Sequence, residues 1–353
     1  MPEQQLPWST PPAALSPPPP GQRNQAIDLM RAGCILWIVG FWHLLGYAES
    51  IDGYKNDITY RLTVVVLGLF VLISGYLIGR SRITNTAELW RFYRRRMIRI
   101  YPPYLAALLL FDLCGLLKPG QFVGAALLSA SFSLEPPLTL WYISMIVVFY
   151  LLAPLLLLLV HSLAQRPWRW ASNRLVVSAG IIGLNVLLGK LLDGVDSRLF
   201  LYFPSFVAGL VLAPALVEPR VSRRSIAFTA LATVAATLFS FHHQARIDSS
   251  LNAIPLAVFA PLLTLLVCER WGRQLRLPPL VLAISTASFF MYLFHRPIFL
   301  LFTSHGFPSS APLQLAVLLL LALPVIVAVS WKGQVLYDAA VRRLLPRPAP
   351  IAS

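Results

Sequence analysis

A few ionisable side chains within long apolar stretches of the sequence are candidates for chemistry. Arg31 and His43 lie twelve residues apart in the first stretch, and His295 lies in the ninth. Because the ordinary pKa of histidine is about 6.5, an imidazole accepts and returns a proton near neutral pH. Ionisable groups inside a membrane are costly, so their default interpretation is functional. The pattern therefore indicates proton transfer by His43 and His295, with Arg31 at the near end of the first helix.

A dense arginine cluster follows the second apolar stretch and suits a phosphorylated ligand. Arg96 and Arg99 are three residues apart and share one face of a helix. Guanidinium groups fit phosphate oxygens well. Two alternatives remain open: the cluster binds anionic lipids and sets topology, or the histidines relay protons in a channel, a secondary transporter or a flippase-like carrier.

Each polar residue also has a purely structural interpretation. Arg31 can form an interfacial ion pair with Asp28, and His43 can be a core histidine bonded to a carbonyl. Asp112, at mid-depth in the third stretch, can pair with an arginine on another helix. His295, two residues before a proline, can mark a helix break. The sequence alone leaves these alternatives open.

The composition predicts an all-α, polytopic membrane helix bundle. Of the 353 residues 57% are hydrophobic and 12% charged, too few charges to cover a soluble globule. A crossing helix needs about 20 mostly apolar residues. Ten stretches qualify: Leu29–Tyr47, Leu62–Ile78, Pro102–Leu117, Leu138–Val160, Leu175–Leu192, Leu199–Val217, Ile226–Phe241, Leu251–Val267, Leu280–Phe302 and Leu313–Trp331. Phe122–Leu134 is shorter, which predicts a re-entrant or interfacial segment.

The distribution of positive charge predicts the topology. Most of the 29 lysines and arginines gather in alternate loops, and positive loops stay in the cytoplasm. Ten crossings with both termini inside satisfy this rule. Topology also accounts for most of the net charge of +15, which argues against a nucleic-acid partner. We expect a disordered Pro-rich cytoplasmic tail over 1–24, a membrane domain over 25–335 and a basic cytoplasmic tail over 336–353.

Four sequence blocks, in order, resemble the integral-membrane acyltransferases of type 3, which acylate bacterial surface glycans. The blocks are Asp28–Ala32 with His43, Ser74-Gly75-Tyr76, Arg96–Pro102, and Leu140–Ser144 with Phe149-Tyr150-Leu151. Ser285–Pro297 adds weaker support. The resemblance implies a cytoplasmic acyl-CoA donor, most commonly acetyl-CoA, and a hydroxyl acceptor on a glycan or lipid-linked sugar. It also implies a multi-pass protein of the bacterial cytoplasmic membrane, surrounded by membrane lipids.

The resemblance also implies roles for individual residues. Arg96 and Arg99, with Arg31 deeper, hold the donor phosphates, and His43 acts as the general base. The remaining roles are donor binding for Ser74 and Tyr76 and an acyl or sugar pocket for Trp141, Tyr142 and Tyr150. Tyr292 and His295 either polarise the carbonyl or complete the acceptor side, and Asp112 is a candidate to orient a histidine. The three cysteines, Cys34, Cys114 and Cys268, have no metal-type spacing, so no metal cofactor is expected.

Two departures from the family pattern carry predictions. The family has ten residues between the arginine and histidine of the first helix, whereas this chain has eleven. On an ideal α-helix the extra residue rotates His43 to about 120° from Arg31. A π-bulge near Gly40 absorbs the insertion and restores a common face. Apolar residues Met145–Val148 replace acidic ones found in many members, which suggests a different acceptor.

Overall fold

The computed structural model describes residues 24–48, 51, 53–81, 83, 85–132, 136–164, 170–213, 221–243, 251–272 and 275–344. All regular structure in these ranges is helical, as the composition predicts. The helices are α1 (Gln25–Ile35), α2 (Asp57–Ile78), α3 (Thr86–Leu113), α4 (Gln121–Ala126), α5 (Trp141–Ala164), α6 (Trp170–Leu191), α7 (Ser197–Leu212), α8 (Arg223–His242), α9 (Ile254–Trp271), α10 (Pro279–Thr303), α11 (Ala311–Val317) and α12 (Leu323–Leu344). Two π-helical stretches extend α1 and join α11 to α12: Leu36–His43 and Leu318–Ala322.

Asparagine side chains begin the first three helices. Asn24 accepts hydrogen bonds from the backbone amides of Ala26 and Ile27, and Asn85 caps α3 in a similar way. Asn56 forms a capping box with Thr59 at the start of α2. Such caps satisfy amide groups that lack a partner within the helix, so the starts of the helices follow from local sequence.

Within the described ranges, seven helical segments are long and apolar enough to cross a membrane. They coincide with seven of the ten predicted stretches. The other three predicted stretches lie on α3, whose first half is rich in arginine, and on the shorter apolar helices α6 and α7. The end of the stretch Leu199–Val217 lies outside the described residues. The chain is therefore a multi-pass helical membrane protein.

The segment predicted not to cross folds against α3. Its helix α4 has only 6 residues and a 3-10 turn over Ser129–Phe132 follows it. Six helical residues extend about 9 Å, far less than a bilayer core. The hydroxyls of Tyr101 and Tyr104 donate to the carbonyls of Ala126 and Ala125, at 2.9 and 2.7 Å. Two tyrosines of α3 thus hold the short helix in place.

Glycines bring α2 and α7 into very close contact. A Cβ added to Gly75 would lie 2.1 Å from the carbonyl oxygen of Phe206, and one added to Gly209 would lie 2.1 Å from that of Leu72. Small residues at such interfaces let helix backbones approach and pack well in membranes. The glycine of the Ser74-Gly75-Tyr76 block therefore serves helix packing, since its missing side chain faces α7.

Replacing Gly75 with alanine should destabilise the bundle, because the new methyl group forces α2 and α7 apart. Overpacking a close interface costs about 1–3 kcal/mol. We expect a clearly lower melting temperature for the purified protein. Gly180→Ala in α6 is the matched control, because a Cβ there meets nothing within 4 Å. Equal melting temperatures for the two variants would contradict this account of the interface.

The predicted domain boundaries stay predictions. Residues 1–23 and 345–353, which are most of the first predicted tail and half of the second, lie outside the described residues. The predicted boundary at 335 falls within α12, which continues to Leu344. One helix, α12, therefore continues from the predicted membrane domain into the first part of the predicted basic tail.

Candidate active site

The π-helical stretch of the first helix turns His43 towards α10. The stretch runs from Leu36 to His43 and includes Gly40, where the extra residue predicts a bulge. As a result Arg31 and His43 both contact α10: the Arg31 guanidinium donates to the Ser288 hydroxyl at 2.9 Å, and His43 meets His295. Ser288 and His295 lie seven residues, about two turns, apart on one face. The predicted π-bulge is thus confirmed.

His43 and His295 form a hydrogen-bonded pair. Nδ1 of His43 and Nε2 of His295 are 2.9 Å apart, and the two ring planes differ by 10°. Nδ1 of His295 lies 3.0 Å from the carbonyl oxygen of Met291 and 2.9 Å from that of Tyr292. His295 is 0% exposed, and α10 continues through Pro297, so the helix does not break there. The second histidine is therefore held rigidly behind the first.

The hydrogen bonds determine the tautomers of the neutral pair. Carbonyl oxygens only accept, so Nδ1 of His295 carries the hydrogen and its Nε2 accepts. Nδ1 of His43 must then donate to that nitrogen, which leaves Nε2 of His43 with a free lone pair. A base whose other ring nitrogen is fixed by a partner is a common arrangement for proton abstraction. The pair therefore makes Nε2 of His43 a defined proton acceptor.

A cavity of about 630 Å³ opens between α1, α2, α3, α5, α10 and α12. This volume is within the range of about 300–1,000 Å³ that ligand pockets occupy. Arg31, Arg96 and Arg99 line it together, as predicted from sequence. The Arg96 guanidinium lies over the Tyr150 ring, 5.2 Å from its centroid, which orients the charge. The cavity thus combines three guanidinium groups with a mostly apolar wall, which fits a phosphorylated ligand with an apolar arm.

Two tyrosines close the deep end of the cavity. Tyr142 and Tyr292 both line it, with ring centroids 5.3 Å apart. The Tyr292 hydroxyl donates to the carbonyl of Thr139, and its ring lies 6.2 Å from that of His295. Neither histidine lines the cavity itself. The histidine pair therefore lies one side chain beyond the deep end of the cavity.

A comparison with protein families agrees with this geometry. A family model described as an acyltransferase domain matches residues 24–331, which includes the three arginines, the histidine pair and all of the cavity lining except Gln334 and Asp338. The chain belongs to the type 3 acyltransferase family. Comparisons with curated proteins and with solved structures returned no significant match. The protein is thus a membrane acyltransferase whose family residues are brought together on α1, α3, α5 and α10.

Not all predicted residues of this acyltransferase face the cavity. Ser74 does, and its hydroxyl donates to the carbonyl of Phe70 at 3.0 Å. Tyr76, predicted to bind the donor, is 0% exposed and lies in an apolar cluster with its hydroxyl 3.4 Å from Glu269. Because Tyr76 is two residues from Ser74, its side chain lies about 200° around α2. Tyr76 therefore does not line the cavity, and its role in donor binding stays a prediction.

Trp141 and Asp112 are also placed away from the cavity. Trp141 stacks on Tyr202 and carries the Arg198 guanidinium 4.0 Å above its ring. Asp112 is exposed near the end of α3 and, within the described part of the chain, its side chain bonds to neither histidine. Backbone carbonyls orient His295 instead. Neither residue lines the cavity, so the pocket role of Trp141 and the orienting role of Asp112 stay predictions that no described contact supports.

The structure adds cavity residues that the sequence did not reveal. Gln334 and Asp338 of α12 line the cavity, and the Gln334 amide donates to the Asp338 carboxylate at 3.1 Å. Ser288, which holds Arg31, was not predicted either. A usable signal was the spacing of four between Gln334 and Asp338, which puts two polar groups on one face of a helix. The prediction that 336–353 is a tail excluded Asp338 from the membrane domain, so this spacing was not used.

Proposed function

We propose that the protein transfers an acyl group, most simply acetyl, from cytoplasmic acyl-CoA to a hydroxyl of a glycan or lipid-linked sugar. The observation that carries the proposal is one set of groups within the bundle. Arg31, Arg96, Arg99 and the two tyrosines line one cavity, and the ring of Tyr292 lies 6.2 Å from that of His295, which pairs with His43. This arrangement suits the diphosphate, pantetheine and thioester of such a donor.

The chemistry assigned to His43 is general base catalysis. Its Nε2 takes the proton from the acceptor hydroxyl while that oxygen attacks the thioester carbonyl. When the intermediate collapses, the carbon–sulfur bond breaks, and the protonated ring returns the proton to the leaving sulfur. The products are an ester and free CoA thiol, so atoms and charge balance. Tyr292 must shift for the thioester to reach His43, since its ring separates the two.

The direct test of the function uses purified protein in nanodiscs. Acetyl-CoA labelled in the acyl group is mixed with a panel of alkyl glycosides, and the lipid-soluble products are counted. We expect labelled glycoside and an equal amount of free CoA. A protein that leaves the thioester intact, yet acidifies or alkalinises the interior of proteoliposomes when a glycoside is added, would be a proton-coupled carrier instead.

In this proposal His295 is a positioning residue, because it fixes the tautomer of His43. His295→Phe should lower kcat by about 100-fold with little change in the donor KM, since Nδ1 of His43 loses its acceptor. His295→Gln keeps an acceptor oxygen in reach and should recover most of the loss. Equal defects in both variants would show that His295 acts only by filling space.

We also infer ten crossings with both termini in the cytoplasm of a bacterial cell, in the cytoplasmic membrane. The seven long helices, with α3, α6 and α7, give ten, and the arginine-rich loops then share one side. This places the three arginines of the cavity at the cytoplasmic face and the histidine pair towards the outer face. It also brings donor and acceptor to His43 from opposite sides.

Cysteine labelling checks the sides of the membrane. In a variant whose three native cysteines are alanine, Pro119→Cys after α3 should react with an impermeant thiol reagent on intact cells. Ala87→Cys at the start of α3 should react only after permeabilisation, because α3 separates the two positions. Both positions are exposed in the structure. Labelling of both from the same side would refute the assigned crossing.

A further inference from the structure

Arg296 is a charge that the described part of the chain does not neutralise. Its Nε is buried and has no hydrogen-bond partner, and no carboxylate of the described residues lies within 4.0 Å of its guanidinium. Charged side chains within a membrane normally pair with one another or with carbonyls. A partly buried guanidinium without a carboxylate is therefore costly for a purely structural residue.

Two other arginines of the bundle are satisfied by partners within the chain. Arg270 shares with Arg296 a buried Nε without a hydrogen-bond partner, but its Nη1 donates to the carbonyl of Val221 at 2.7 Å. Arg61 donates to Ser240 and to the carbonyl of Asp57, whose carboxylate lies 3.6 Å away. Arg198 is bound by both carboxylate oxygens of Asp196, at 2.8 and 3.0 Å from its Nε. These contacts show how this chain pairs a structural arginine. Arg296 differs from both, which points to a ligand.

Arg296 also lies beside the histidine pair to which the proposed acyl transfer is assigned. It directly follows His295, and its charge acts on the rings of both His43 and His295. The Tyr47 hydroxyl, one turn beyond His43, donates to the Arg296 carbonyl at 3.5 Å. Lys55, which is exposed, adds a second positive charge near His43. Among the described residues, two positive charges, those of Arg296 and Lys55, therefore act on His43.

Resting on the proposed acyl transfer, we propose that Arg296 is the anion-binding residue of the acceptor site. The acceptor then carries a carboxylate or a phosphate close to the hydroxyl that receives the acyl group. A guanidinium binds either group through charge-assisted hydrogen bonds, and binding restores the missing counter-charge. The contact would also orient the hydroxyl towards Nε2 of His43. An acidic sugar or a phosphate-linked sugar has this chemistry.

Ligand-observed NMR on the full-length protein in nanodiscs tests the proposal with three soluble probes. Methyl glucuronide presents a carboxylate, glucose 1-phosphate a phosphate, and methyl glucoside neither. We expect at least one anionic probe to bind about tenfold more tightly than methyl glucoside. The tighter of the two anionic probes identifies the source of the charge. Equal affinities for all three probes, or no detectable binding of either anion, would overturn the proposal.

Variants connect the preference to this residue. Arg296→Gln should abolish the preference for the anionic probe, and Arg296→Lys should retain part of it. Lys190→Gln, which removes an exposed charge on α6, is the matched control and should leave it unchanged. A preference that survives Arg296→Gln, or that Lys190→Gln also abolishes, would refute the role of Arg296.

A kinetic measurement separates this role from the alternative in which Arg296 stabilises the thioester oxygen. With an anionic acceptor, Arg296→Gln should raise the acceptor KM and leave the donor KM unchanged. An equal fall of kcat with charged and neutral acceptors would overturn the proposal in favour of the thioester. Because the binding measurements need no turnover, a failure of the proposed acyl transfer remains distinguishable from a failure of this inference.

Discussion

Replacing His43 with alanine should lower kcat for acyl transfer by about three orders of magnitude. General base catalysis contributes about 10²–10⁴-fold, and no other described side chain offers a free imidazole nitrogen beside His295. The donor KM should hardly change, because the arginines that line the cavity are untouched. Single-turnover transfer of labelled acetyl by the purified variant provides the measurement.

His242→Ala is the control for this prediction, because His242 is exposed at the end of α8. It removes an imidazole far from the cavity and should leave kcat unchanged. A His43→Ala protein that folds normally and retains more than a tenth of wild-type kcat would eliminate the general base role. The family assignment would survive that outcome, but the mechanism would not.

Replacing Arg96 and Arg99 together with glutamine should raise the donor KM by about 100-fold. Each charge-assisted hydrogen bond to a phosphate contributes about 1.5–3 kcal/mol, and both guanidinium groups line the same cavity. We expect kcat at saturating donor to fall much less. The dependence of the donor KM on salt should also become weaker, because two ionic contacts are lost.

The matched control is Arg94→Gln with Arg95→Gln, which removes the same charge from the same helix. Both residues are exposed and neither lines the cavity. If the two double variants shift the donor KM equally, the cluster acts through its overall field. If both variants only reduce the amount of protein in the membrane, the cluster serves topology, as positive residues often do.

Local sequence rules predicted the fold and part of the site. Apolar length located the crossing helices, and one extra residue between Arg31 and His43 located the π-helical stretch before any coordinates. These features depend on the periodicity of single helices. The approach of His43 to His295 does not, because it depends on how α1 packs against α10. The contact between His43 and His295 therefore cannot be predicted from the spacing of residues along the sequence.

Helix packing also explains why some of the predicted site residues do not face the cavity. Tyr76 and Trp141 belong to family blocks, but the rotation of each helix decides whether a block residue faces the cavity or the neighbouring helix. Gly75 illustrates the point, because its lack of a side chain serves contact with Phe206. The binding role proposed for Arg296 could not be predicted from its place beside His295, since the lack of a carboxylate among its described neighbours depends on how the helices pack.

The tyrosine pair at the deep end of the cavity has a consequence for the cell. An enzyme that receives CoA from one side and sugar from the other risks becoming a leak, and a dissipated membrane potential would harm the cell more than lost acylation. In the proposed mechanism the rings of Tyr142 and Tyr292, tilted by 57° with centroids 5.3 Å apart, would interrupt a column of water between the arginines and the histidines. In this proposal the histidine pair catalyses acyl transfer, and the neighbouring tyrosine pair prevents leakage across the membrane. Opening for the thioester must be brief, and the acyl chain itself then fills the gap.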